Sequence, residues 1–130
     1  MRQRVVQGLR ALDAVSVENG RAHPGTPDVN YVEGWLELKQ LPNWPRGGPG
    51  AQVLCRHFRP EQRVWIRRRA RRGGRVHVLL QVGPDWLLLP PLEAASELGR
   101  CTRERLEAMA VRVWRGRVDM RELRECLSSS

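Results

Sequence analysis

Apolar side chains at Val5, Leu9 and Leu12 follow the four- and three-residue spacing of a helix, which predicts an amphipathic helix over residues 2–12. The period then shortens. Ala14–Glu18 alternates weakly and predicts a short strand, ended by the turn signal Asn19-Gly20. His23–Pro27 reads as a loop and Asp28–Val32 as a second strand. After Glu33-Gly34, Trp35–Gln40 alternates cleanly with period two and predicts a third strand. Residues 41–58 are broken by Pro42, Pro45, Pro49 and the run Arg46–Gly50, and read as a long loop, a kind that is usually functional or mobile. Pro60 fits the first residue of a helix reaching about Arg72 and stopped by Gly73-Gly74. Val76–Val82 is the near-continuous apolar run of a buried strand. Gly83-Pro84-Asp85 turns the chain into a short strand, Trp86–Leu89. Beyond Pro90-Pro91, a short helix is predicted over 91–98, and Thr102 is placed to cap another reaching about Trp114. Asp119 with Glu122 matches a capping box before a last helix carrying Met120, Leu123 and Leu127.

The resulting order, with three consecutive strands before the second helix, predicts a mixed α/β domain and argues against a doubly wound sheet. A chain of 130 residues fits one domain. We divide it into a core over residues 1–90 and a C-terminal helical extension of the same domain over 91–130. No apolar run approaches the roughly 20 residues that span a bilayer. The basic start Met1–Arg4 leads into a segment interrupted by Gln7, Arg10 and Asp13, not into a signal-peptide core, so a cytoplasmic protein without a membrane partner is expected. Cys55, Cys101 and Cys126 form no CxxC pair. A mixed metal site from His23, Cys55 and His57 is disfavoured against ordinary loop and core roles.

Charge changes the picture more than composition does. The net charge is +9, and its excess is concentrated: Arg56 to Arg75 holds nine arginines against the single acid Glu61. A cationic stripe of this density is the footprint of a phosphate-backbone binder. A solvated helix face is the plain alternative. An anionic membrane surface fits less well, because no broad apolar face accompanies the charge. The predicted helix from Pro60 would turn Val64, Trp65 and Ile66 to the sheet. Arg59, Arg63, Arg67, Arg68, Arg71 and Arg72 would then track phosphates. Trp44, in the Pro/Gly loop, is a candidate for stacking on an unpaired base, against the commoner fate of folding onto its own loop. Trp65, Trp86 and Trp114 are assigned to core packing. Of the 23 basic residues other than histidine, Lys39 alone is lysine. Lysine is a compact point charge with a tunable pKa, so its retention marks a position where arginine does not serve, unless codon bias left it there by chance.

Alternation sends Glu37 and Lys39 to one face of their strand and Leu36 and Leu38 to the other. If the strand from Asp28 pairs with it through the Glu33-Gly34 turn, Asp28 comes to lie near Glu37. Two converging carboxylates form a hard-oxygen site suited to Mg²⁺, with Mn²⁺ as substitute. A nearby lysine can position or deprotonate a water or stabilise charge on a phosphate. Spacing alone fits equally a surface salt bridge on an edge strand.

Pro27-Asp28, eight residues, then Glu37-Leu38-Lys39 resembles the signature of the PD-(D/E)XK nucleases. The run Gly25-Thr26-Pro27-Asp28-Val29 is similar to the G-x-P-D-hydrophobic motif of the VRR-NUC group and its small phage relatives. The later order, Gln62 opening a helix, Gly73-Gly74 ending it, and Arg75–Val78 starting a strand, resembles that group's tail. The resemblance spans residues 1–90. It implies a restriction-endonuclease-like αβββαβ core, a mixed central sheet flanked by helices. It implies that Asp28, Glu37 and the Leu38 carbonyl hold the metal, with Glu18 completing the site. Glu18 matches loosely, because many relatives carry that acid in the first helix, which here has none. Lys39 would contact the nucleophilic water or the scissile phosphate, and Gln62 would point into the site.

The activity implied is metal-dependent hydrolysis of DNA phosphodiesters, specific for branched structures such as Holliday junctions, within host cytoplasm if the chain is phage-encoded. Symmetric cutting of a junction favours a homodimer. Its interface would draw on Leu106, Met109, Val113, Met120, Leu123 and Leu127, unless these cap the sheet within one chain. The alternatives are a nickase, flap or single-strand nuclease, an RNA nuclease, and a basic DNA-binding protein that keeps the fold without catalysis.

Overall fold

The computed structural model describes residues 1–17 and 25–128. In it the cleanest alternation of the sequence becomes the longest strand, β3 (Gly34–Leu41), at the middle of a six-stranded mixed sheet. The strands lie side by side in chain order: β1 (Val15–Ser16), β2 (Val29–Tyr31), β3, β4 (Val76–Val82), β5 (Asp85–Leu89) and β6 (Arg112–Trp114). Every neighbouring pair is antiparallel except β3 with β4. A parallel pair needs a crossover, and the chain supplies it with the Pro/Gly segment 42–59 followed by α2 (Pro60–Arg71).

Period-two alternation sorts the side chains of β3, β4 and β5 onto two layers. Val76, Val78, Leu80, Val82, Leu87 and Leu89 pack under α2, α3 (Pro91–Glu97) and α4 (Arg103–Met109) with Trp65, Ile66 and Leu106. On the other face Leu36, Leu38, Leu79, Trp86 and Leu88 pack under α1 (Arg2–Gly8) and α5 (Met120–Ser128), against Val5, Leu9, Leu123 and Leu127. Helices α1, α3 and α4 are only seven residues each, too short to persist alone, so burial on the sheet is what holds them. Each fully buried leucine adds roughly 1.5–3 kcal/mol to that.

Several expectations are corrected. The first helix ends at Gly8, not at residue 12. A 3-10 turn, Arg10–Leu12, and a left-handed Asp13 follow, and they bring the Leu12 carbonyl to the Val32 N–H at 2.7 Å. The helix from Thr102 stops at Met109, because Val111 N–H bonds Leu88 O and the next residues complete the free edge of β5 as β6. The region after residue 90 is therefore not purely helical. At α5, Asp119 Oδ1 accepts from the Arg121 and Glu122 amides, as a cap should. The Glu122 carboxylate does not close the box. It accepts instead from Trp114 Nε1 and Arg112. Val64 is not on the sheet: it is 54% exposed, while Trp65 and Ile66 are buried. Leu106, Leu123 and Leu127 are fully buried, and Met109, Val113 and Met120 pack against the two cores. The proposed dimer residues thus cover the sheet within one chain.

The long loop is neither open nor loose. Val53, Cys55 and Phe58 are core residues, Val53 N–H bonds Cys101 O at 2.8 Å, and Gln52 bridges Thr102. Among the described residues no helix is long and apolar enough to cross a membrane.

Candidate active site

The turn at Val32-Glu33 pairs β2 with β3 in the register Tyr31↔Gly34, Asn30↔Trp35, Val29↔Leu36. One residue further out β2 has ended, and the Asp28 side chain takes the place of a strand. Its Oδ2 accepts from the Leu38 N–H at 2.9 Å. The N–H and C=O of a strand residue point to the same side, so the Leu38 carbonyl also faces the Asp28 side. The local sequence enforces this approach. Gly25, at φ +88°, lies against the first turn of α2, where a Cβ would sit 2.2 Å from Glu61 O. Only glycine lets the segment leading to Asp28 run this close to the helix.

Glu37 and Lys39 share the α2 face of β3, as alternation predicts, and both are buried. Lys39 Nζ meets three acceptors: Glu37 Oε2 at 3.1 Å, Gln62 Oε1 at 3.1 Å and His57 O at 2.9 Å. Gln62 stands at the third position of α2. Its Oε1 accepts from the Arg59 N–H at 2.8 Å as well as from Lys39, which fixes the amide orientation because both partners are donors only. Its Nε2 therefore donates to Glu37 Oε2, at 3.0 Å. One glutamine thus caps α2 and bridges the acid to the lysine.

Glu37 Oε1 is buried without a hydrogen-bond partner among the described residues. Burial first, then the neighbouring Asp28 charge and the hydrogen bond that a protonated Glu37 can give to Asp28, push the Glu37 carboxyl up to about 8, against the lowering pull of Lys39. Such a group stays largely protonated at pH 7 unless another cation arrives. The donor chemistry fits a hard divalent ion: two carboxylates, one with a buried oxygen that no described residue bonds, and a backbone carbonyl on the same side. Among the described residues no group of three His, Cys, Asp and Glu side chains converges on one point. Glu18 lies outside the described residues, as does His23. Cys55 and His57 approach each other at 3.9–4.0 Å, and burial raises the Cys55 thiol.

A concavity of about 340 Å³ opens at this edge, lined by Met1, Arg2, Asp28, Leu38, Gln40 and His57. A larger concavity, about 680 Å³ between Arg4, Gln7, Gln81 and Arg117, has no carboxylate among its described lining residues. Arg2 is the residue the sequence reading missed. Its Nη2 is 2.7 Å from Asp28 Oδ1. No periodicity or spacing signals that contact, because it joins the first helical residue to a strand end 26 positions away.

The arginines divide. Arg59, Arg68, Arg71 and Arg72 are exposed and Arg67 is half-buried. Among the described residues Arg67, Arg68, Arg71 and Arg72 have no carboxylate at ion-pair distance, whereas Arg59 pairs with Glu61 at 3.2 Å. Arg63 is not on this surface. It is 8% exposed, stacks on Phe58 at 4.3 Å and donates to Ala95 O at the end of α3. Trp44 is held by Asp85 and Arg103. Its Nε1 donates to Asp85 Oδ2 at 2.8 Å and Arg103 covers its ring at 4.5 Å.

Comparison with protein-family models and with curated proteins returns no match to this chain.

Proposed function

We propose that this protein is a divalent-metal-dependent nuclease acting on DNA phosphodiesters, of the PD-(D/E)XK kind that the sequence resembles. The observation that carries the reading is the contact network itself. Asp28 from the segment before β2, Glu37 and Lys39 from β3, and Gln62 from α2 meet where β3 runs on past the end of β2, and a buried carboxylate oxygen there has no partner among the described residues. A surface salt bridge would need none of this burial.

Asp28, Glu37 and the Leu38 carbonyl would hold the metal, which when bound supplies Lewis acidity at a phosphate oxygen and an acidified water. The residues do the rest. Lys39, fixed by three acceptors, presents a positive charge beside Glu37 for the attacking water or the developing charge on phosphate. Gln62 holds both Glu37 Oε2 and Lys39 in register. The α2 arginines without acidic partners would bind backbone phosphates without reading bases. Recognition by shape favours branched DNA as substrate, and two active sites for symmetric cutting would require a dimer through a surface other than the buried α4–α5 residues.

The test is cleavage of labelled four-way junction, flap, duplex and single-stranded DNA, and of RNA, by wild type and Lys39→Ala with Mg²⁺, Mn²⁺ or EDTA. The expected result is metal-dependent cutting that Lys39→Ala abolishes while DNA affinity is kept. Binding without cutting under every metal refutes the assignment in favour of a DNA-binding protein without catalysis.

A further inference from the structure

The Arg2–Asp28 contact stands where the proposed metal would need to be. Asp28 has two oxygens, and the Leu38 N–H occupies Oδ2 at 2.9 Å. Oδ1 is thus the oxygen best left for a cation, and Arg2 Nη2 sits on it at 2.7 Å. Glu37 Oε1, the other candidate donor, has no hydrogen-bond partner among the described residues. Resting on the nuclease reading above, we propose that Arg2 is the resident counter-cation of the metal position: its guanidinium neutralises Asp28 in the metal-free protein, and a divalent ion must displace it to bind.

Three features support displacement over coexistence. A guanidinium and a divalent ion on one carboxylate repel each other across a few ångströms in a partly desolvated edge. The Arg2 side chain is 40% exposed and lines the 340 Å³ opening, so it has room to leave. The helix that carries it need not move, because Val5 and Leu9 anchor α1 in the core and Val5 N–H bonds Met1 O at 3.1 Å. The arginine is therefore a side-chain gate on a fixed support. It sets metal affinity by competition, and it spares Asp28 from standing as an unpaired charge beside Glu37.

Mn²⁺ binding, followed by titration calorimetry and by the loss of the free-ion EPR signal, tests this without any turnover. Arg2→Gln, which keeps a polar side chain and removes the charge, should bind Mn²⁺ about three- to tenfold more tightly than wild type. Arg2→Lys, which keeps a cation, should remain within about twofold of wild type, and Asp28→Asn should lose the site. Circular dichroism of each variant confirms that the fold is retained. Equal or weaker binding by Arg2→Gln overturns the competition and leaves the nuclease reading standing. No Mn²⁺ binding by wild type or Arg2→Gln overturns both.

Discussion

Glu37→Gln is the perturbation with the most informative energetics. The substitution keeps the shape of the side chain and its contacts to Gln62 and Lys39 while removing the charge. In the metal-free folded protein the Glu37 carboxyl titrates near 8, against 4.5 when exposed, because burial and Asp28 oppose its ionisation. A carboxyl with a raised folded pKa stabilises the fold fully below pH 4.5. That contribution drains away as pH rises, and it is gone above 8. Each tenfold difference in proton affinity between the folded and unfolded chain is worth roughly 1.4 kcal/mol, so wild type should lose about 3–5 kcal/mol of stability over this window. Glu37→Gln has nothing to lose there. The two proteins should agree within about 1 kcal/mol at pH 5, and the variant should be more stable by about 3–5 kcal/mol at pH 9. Urea denaturation in EDTA at pH 5, 7 and 9 measures the difference directly. Mg²⁺ should then restore wild type alone, and its binding at pH 7 should release a proton, seen as a buffer-dependent heat. Parallel stability curves for the two proteins would refute the argument, since Glu37 would then titrate as an exposed acid.

Four further outcomes are expected. Gly25→Ala forces a Cβ to 2.2 Å from Glu61 O at a backbone φ of +88°, and should cost about 2 kcal/mol or more, visible as a lowered melting temperature and weakened metal binding together. Replacing Arg67, Arg68, Arg71 and Arg72 by Gln should flatten the salt dependence of DNA affinity by about 0.9 in slope for each engaged residue. Arg63→Gln should leave that slope alone and lower stability, because Arg63 is buried on Phe58 and Ala95. Trp44→Phe removes the indole donor to Asp85 and should cost about 1 kcal/mol with unchanged affinity for single-stranded DNA. A large loss of that affinity would restore the stacking role.

The strand content was legible where alternation was clean. Gly34–Leu41 announces both its conformation and the common face of Glu37 and Lys39, since period two is a backbone property. The PD and ExK spacing placed Asp28 beside them, because a two-residue turn leaves little freedom of register. What escaped depends on contacts distant in sequence. Arg112–Trp114 carries the tail of a helical pattern, and only the unpaired edge of β5 turns it into a strand. Arg63 belongs to the same run of arginines as Arg67 and Arg68, and only the position of α3 removes it from the surface. Arg2 lies in a basic stretch that reads as solvated until β2 ends opposite it.

The rims of the sheet are short strands among the described residues, two residues at β1 and three at β6. Between them lie Val76–Val82 and Asp85–Leu89, apolar and rich in β-branched or leucine side chains, the composition that seeds cross-β assembly when a strand edge is exposed. The short rims leave almost no template for a second molecule to extend, so colloidal safety rests on β1 and β6 staying paired. A truncation that removes β6 would bare the edge of β5, and this very basic protein would then be held in solution by charge repulsion alone. Salt or nucleic acid, by screening that charge, would become its precipitant.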